Sequence, residues 1–298
     1  MRLREIKKIL EEVLPHINVN TSERSSSPRT YILSESSRLQ MAINLLEKTT
    51  LFSDQISILK EFSFYNTNSE NLIIQDAEYR VLKKEFGLLN ELILGMINSL
   101  NIVIPEDNAN LISIKIPNPQ SFKDVSKTTD SLEKIFSQTI LNKDIGGSFR
   151  IVNFDTGSYW IDVLFNGGAQ VLHLVAAISW GGAVVYKKIQ EGRLLNEQVR
   201  ELKISNDAQV EINSINKEAV NSVAQKEAEF IYNSFYKIKD PEQIERIKLA
   251  LNELAELYSK GAEVYPSLNS SLEVSAEFPN MKSIENIESK VKKLSPNK

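Results

Sequence analysis

Residues 146–193 constrain this chain more than any other stretch. They open with an alternating run, Ser148-Phe149-Arg150-Ile151-Val152-Asn153-Phe154, and reach Asp155-Thr156-Gly157-Ser158. The chain returns as Tyr159-Trp160-Ile161-Asp162-Val163-Leu164-Phe165, then runs almost without a polar break from Gln170 to Tyr186 and meets Lys187-Lys188. Alternation with period two is the mark of a strand, and Asp, Thr, Gly and Ser suit a hairpin turn. A following run that is apolar all round is a helix enclosed on every side. Only Gly167-Gly168 and a few neighbours separate strand from helix, so the helix is expected to fold back onto its own sheet.

Lipid is the competing environment. As a helix, 163–186 would be about 36 Å long, enough to cross a bilayer. Trp180 and Tyr186 would suit an interface, Lys187, Lys188 and Arg193 a cytoplasmic flank, and the small pairs Ala177/Gly181 and Ser179/Ala183 close helix packing. Against this stand Asn166, Gln170 and His173 in the first half, each costly against lipid, and the glycine pair that breaks the run. A buried central helix is the favoured reading, with membrane insertion through 163–186 as the alternative.

Upstream, Leu111-Ile112-Ser113-Ile114-Lys115-Ile116 alternates as a strand, and Ser121 is placed to cap a helix reaching about residue 142. With the hairpin and the apolar helix this gives β-α-β-β-α, an order that resembles part of a ferredoxin-like module by analogy of elements alone. The flanks read as helical. Residues 3–14 are amphipathic, 18–29 are a polar Ser-rich connector, and helices follow near 36–48 and 53–62, with a loop at 65–71. Residues 76–101 form a helix with more than one apolar face. Beyond 188 a helical stripe (Ile189, Leu194, Leu195, Val199, Leu202) continues through Ile212, Ile215 and Phe230, and is expected to pair within the chain. Asp240-Pro241-Glu242-Gln243 is a helix start in which Gln243 can reach back to the cap, and Gly261 is its stop. Residues 264–266 and 272–274 read as a short β-hairpin and 283–294 as a last helix. The expected class is thus α+β and predominantly helical, with regions 1–105, 106–187 and 188–298.

Composition removes several chemistries. The 298 residues include no Cys and two His, so disulfides, thiolate metal sites and a cysteine nucleophile are excluded, and no HExxH spacing exists. A net charge of -4 with scattered Lys and Arg argues against nucleic acid. Residues 155–158 match the D-T-G-S signature of pepsin-like aspartic proteases, whose chemistry needs two carboxylates sharing a proton. No second DTG or DSG is present, and the surroundings are helical, so a turn is the stronger reading. His173 on an apolar helix is expected to be satisfied by a hydrogen bond in the core.

No catalytic, cofactor-binding or metal-binding residues are therefore assigned, and no cofactor. The expectation is a non-enzymatic scaffold or interaction protein that forms a homo-oligomer or binds a protein partner through helical surfaces. It would reside in the cytoplasm, with membrane association as the alternative and the protease a distant third.

Overall fold

The computed structural model describes residues 2–104, 108–155, 159–202, 206–238 and 240–293. The chain divides into two compact units, Met1–Pro105 and Glu106–Lys298.

The first unit contains α1 (Leu3–Val13), β1 (Asn20–Ser26), β2 (Arg29–Ser34), α2 (Ser36–Glu47), α3 (Ser53–Lys60), β3 (Asn71–Gln75) and α4 (Asp76–Val103). The sheet corrects the expectation of an all-helical region. The Ser-rich stretch holds β1, and β3 lies between the expected loop and the expected helix, in antiparallel order β1-β2-β3. Strand β1 has no alternating apolar residues to betray it. It is held by main-chain pairing to β2, whose Tyr31 and Leu33 enter the core, and that pairing needs no side-chain pattern. The core gathers Leu10 and Val13 of α1, Leu39 and Ile43 of α2, and the Leu82/Phe86/Leu89/Ile93 face of α4. Gln40 ties the segment before β3 by donating to the carbonyls of Phe64 (2.6 Å) and Thr67 (2.7 Å).

The second unit contains β4 (Leu111–Lys115), α5 (Phe122–Thr139), β5 (Ser148–Asp155), β6 (Trp160–Asn166), α6 (Ala169–Glu201), α7 (Asn206–Phe235), α8 (Pro241–Ser259), β7 (Glu263–Pro266) and α9 (Leu272–Glu277). Its sheet runs β5-β6-β4-β7, each neighbour antiparallel. Because β4 and β5 both oppose β6, they are parallel to each other with β6 inserted between them. Likewise β6 and β7 flank β4 in parallel. Two such split β-α-β crossovers are the ferredoxin-like arrangement, here with α6, α7 and α8 filling the place of a single second helix. Ile112 and Ile114 of β4 and Ile161, Val163 and Phe165 of β6 join Leu132, Ile135 and Phe136 of α5 and Val171, Leu174, Val175 and Ile178 of α6 in one core.

The expected helix bounds shift at both ends of the apolar run. Residues 163–166 belong to strand β6, and the helix starts at Ala169 after Gly167 and Gly168, both at positive φ. It passes residue 187 without a break, so the expected boundary there falls inside α6. Gly181 and Gly182 let α8 approach: a Cβ on Gly182 would lie 2.9 Å from Leu254 Cδ2, and one on Gly181 3.0 Å from Leu251 Cδ2. Gly181, one of the small residues that could have served packing in lipid, thus faces a protein helix.

Local signals at the caps hold in part. Ser121 accepts from Asp124 N–H at the start of α5, and Asp240 accepts from Glu242 N–H at the start of α8. Gln243 does not reach back. It is buried, donates to Gln138 O at 2.9 Å and accepts from Asn142 at 2.8 Å, joining α8 to the end of α5. The predicted hairpin at 264–274 is only half a strand pair: Glu263–Pro266 pairs with β4, whereas Leu272–Glu277 is the short helix α9, capped by Ser271. The expected last helix is two 3₁₀ turns, Met281–Asn286 and Lys290–Lys293.

Candidate interaction surfaces

Among the described residues no group of three or more His, Asp or Glu is placed to hold a metal ion. Of the D-T-G-S signature, Asp155 ends β5, and 156–158 lie outside the described residues. His16 and His173 belong to different units. His173 is satisfied by a contact within the chain, as expected, but at a partly exposed position rather than in the core. It is half-exposed on α6, and its Nδ1 lies 2.6 Å from Glu277 Oε2 of α9. Asp162, a buried carboxylate on β6, accepts from Ser113 at 2.7 Å and Asn153 at 3.4 Å.

The far ends of α6 and α7 present a different kind of surface. Near its middle α6 is sandwiched, with Tyr186 edge-on to Tyr258 at the end of α8. Beyond that point α8 has ended. The 15 residues left in α6 continue for about 22 Å at the helical rise. They pair with α7, where Asn216 Nδ2 donates to Asn196 Oδ1 at 3.2 Å and Val199 is buried. Ile189 and Phe230 of the stripe pack, partly buried, against the core. Leu194 (58% exposed), Leu202 (73%), Val210 (69%) and Ile215 (57%) meet solvent, as does Leu195. Sequence periodicity names Leu194, Leu195, Leu202 and Ile215 and assigns them to pairing inside the chain, and it does not name Val210. Which of them face α7 depends on the crossing of the two helices, and no single-helix pattern contains that.

A second feature of the same helices is their cover. The segment 278–293 lies along α6 and α7 and is gripped through its main chain. Trp180 Nε1 donates to Glu288 O and Lys187 Nζ to Ile287 O, both at 2.9 Å. The Lys290 ammonium sits 4.0 Å from the centre of the Trp180 ring. Ser289 hydroxyl donates to the Glu227 carboxylate, which is only 2% exposed, and burial holds that carboxyl above the ordinary glutamate range. A cavity of about 810 Å³ remains between this segment and Val184, Lys188, Val223 and Lys226. Trp180 is therefore covered by the chain's own C-terminal segment.

Two helices among the described residues are long and apolar enough to cross a membrane. In α6 67% of the apolar window is buried in the protein, in α4 only 28%. On α4 Val81, Leu88, Leu92 and Leu94 are exposed.

These features define a predominantly helical α+β protein with a ferredoxin-like sheet and a long pair of packed helices, α6 and α7. No protein-family model matches the chain, and no solved structure matches it. It is similar to the uncharacterised protein YqaP of Bacillus subtilis (strain 168), with 27% identity over 290 residues, covering 94% of this chain and 92% of that one. The likeness thus runs through both units.

Proposed function

We propose that the chain is a non-enzymatic interaction protein, a scaffold that assembles with itself or with a protein partner through its helices, chiefly the α6–α7 hairpin. The observation that carries this is the set of exposed aliphatic side chains, Leu194, Leu202, Val210 and Ile215, on two helices that have outrun α8. A pair of helices with large aliphatic residues in water has apolar area to bury, at about 25 cal/mol per Å² removed from solvent. Mixed charge along the same helices, Arg193, Glu197 and Arg200 on α6 and Glu211, Lys217 and Glu218 on α7, suits the rim of a protein contact better than a phosphate backbone.

The test is the double variant Leu202→Ser/Val210→Ser. Both residues are exposed, so folding stability should change by under about 0.5 kcal/mol. The mass in light scattering should fall, or capture of a purified partner should be lost. An unchanged assembly state and unchanged partner capture would refute the hairpin as the contact.

A second reading, membrane association, is supported by the sparsely buried α4 rather than by 163–186. Flotation of the purified protein with liposomes tests it. Binding that is abolished by Leu88→Ser/Leu92→Ser is the expected result under that reading, and a protein left at the bottom of the gradient would dismiss it.

A further inference from the structure

Strand β5 is an edge of the second unit's sheet, and its character is unlike that of the other edge. β7 has four residues and ends on Pro266, a short proline-closed edge of the sort that resists further pairing. β5 has eight residues and neither Pro nor Lys. Its outward main-chain groups have no strand beside them among the described residues. It also exposes two large apolar side chains, Ile151 (49%) and Phe154 (57%).

The register explains how these two come to lie together. Residues three apart on a regular strand face opposite sides of a sheet. Here a bulge falls between Ile151 and Asn153, with Val152 as the extra residue. Ile151 pairs with Val163 and Phe154 with Ile161, two β6 residues that share the helix-facing side. The bulge therefore turns Phe154 to the side that already holds Ile151. A cavity of about 290 Å³ opens beside them, lined by Phe136, Phe149, Ile151 and Val163, with Glu133 of α5 exposed at its rim.

We infer that β5 is an open pairing edge that takes β5 of a second copy of this chain, antiparallel, about a two-fold axis between Val152 and Asn153. This rests on the reading of the chain as an interaction protein and names one surface and its occupant. In that register Ile151 of each copy falls opposite Phe154 of the other, so the exposed apolar pair is buried twice by one symmetric contact. The same register sets position 150 of each copy, an Arg, opposite position 155 of the other, an Asp, on the sheet's other face. A second copy thus supplies the strand, the apolar face and the charges together.

The full-length protein tests this. Sedimentation or light scattering should give a mass near twice the chain's 33.8 kDa. Ile151→Lys/Phe154→Lys should return it to the monomer mass while the thermal transition is kept. The chain has no cysteine, so Ile151→Cys/Phe154→Cys introduces the only thiols and should give a disulfide-linked dimer. Peptide mapping should then join the thiol at position 151 of one copy to the thiol at position 154 of the other. That milder variant keeps the test decisive if the lysines prevent folding. A wild-type monomer, a dimer that survives the lysine variant, or an absence of the cross-link would each overturn the inference. A monomer that gains mass only when another protein is added would put a foreign strand on this edge and overturn it too. An assembly that is lost in Leu202→Ser/Val210→Ser but kept in Ile151→Lys/Phe154→Lys would sink the β5 contact and leave the hairpin reading standing.

Discussion

Glu227 shows what a single residue does to a surface of this kind. It lies on α7 under the C-terminal segment, nearly without solvent, and its neighbours include Lys187 and Lys188 of α6, Lys226 of its own helix, and Glu288 and Lys290 of the segment above. Burial raises its pKa, partly offset by the Ser289 hydroxyl and the Lys290 charge. Below the unfolded value the carboxyl is protonated in both states. As pH rises past that value the unfolded chain gives up its proton first, so this group makes folding less favourable until the folded carboxyl ionises as well. Glu227→Gln should therefore be more stable than wild type at pH 7 and match it near pH 4. Urea midpoints at the two pH values check this, and a variant weaker at pH 7 would contradict it. Asp144 works in the opposite direction. Its carboxylate accepts the main-chain N–H groups of Ile238 and Lys237, in that order of effect, and its pKa is lowered. Its contribution is present above the unfolded value and fades as pH falls through the folded one.

At the scale of elements, the decisive contact is α6 against α8. Sequence shows small residues at 177, 179, 181 and 183 but is silent on what they face. The structure puts Leu251 and Leu254 on the two glycines, with three side-chain atoms of Leu254 within 3.1 Å of where a Gly182 Cβ would be. Gly182→Val should force the helices apart and cost about 1–3 kcal/mol, the usual range for overpacking. A thermal melt reads this directly, and an unchanged transition would mean that α8 can shift at no cost. Elements with strong local codes were legible: the Ser121 and Asp240 caps, the Gly261 stop at φ 95°, and the strands β4, β5 and β6. Those without were not. β1 is Asn-Thr-Ser-Glu-Arg-Ser-Ser, and nothing in that run distinguishes a strand from a linker until β2 is beside it. Residues 272–274 read as a strand because Leu-Glu-Val alternates, yet the Ser271 cap wins and starts the helix Leu272–Glu277.

At the scale of the molecule, each unit owns a hydrophobic core: one built on α4 and the β1–β3 sheet, the other on α6 and the β5-β6-β4-β7 sheet. Fragments 1–104 and 108–298 should therefore each melt cooperatively by far-UV circular dichroism when made separately. A broad, non-cooperative transition in either would show that its core is incomplete alone. The amino-acid sequence by itself determined the helical α+β class, the hairpin, and the return of the apolar helix onto it. Those follow from periodicity and from a linker too short for any other path. Only the tertiary structure decided which apolar residues are left over. Leu202, Val210, Ile151 and Phe154 look like core residues in the chain and stand in water in the fold, because helix crossings, a strand bulge and the strand order set exposure. Each of these is a relation between elements, and no window of sequence contains both partners.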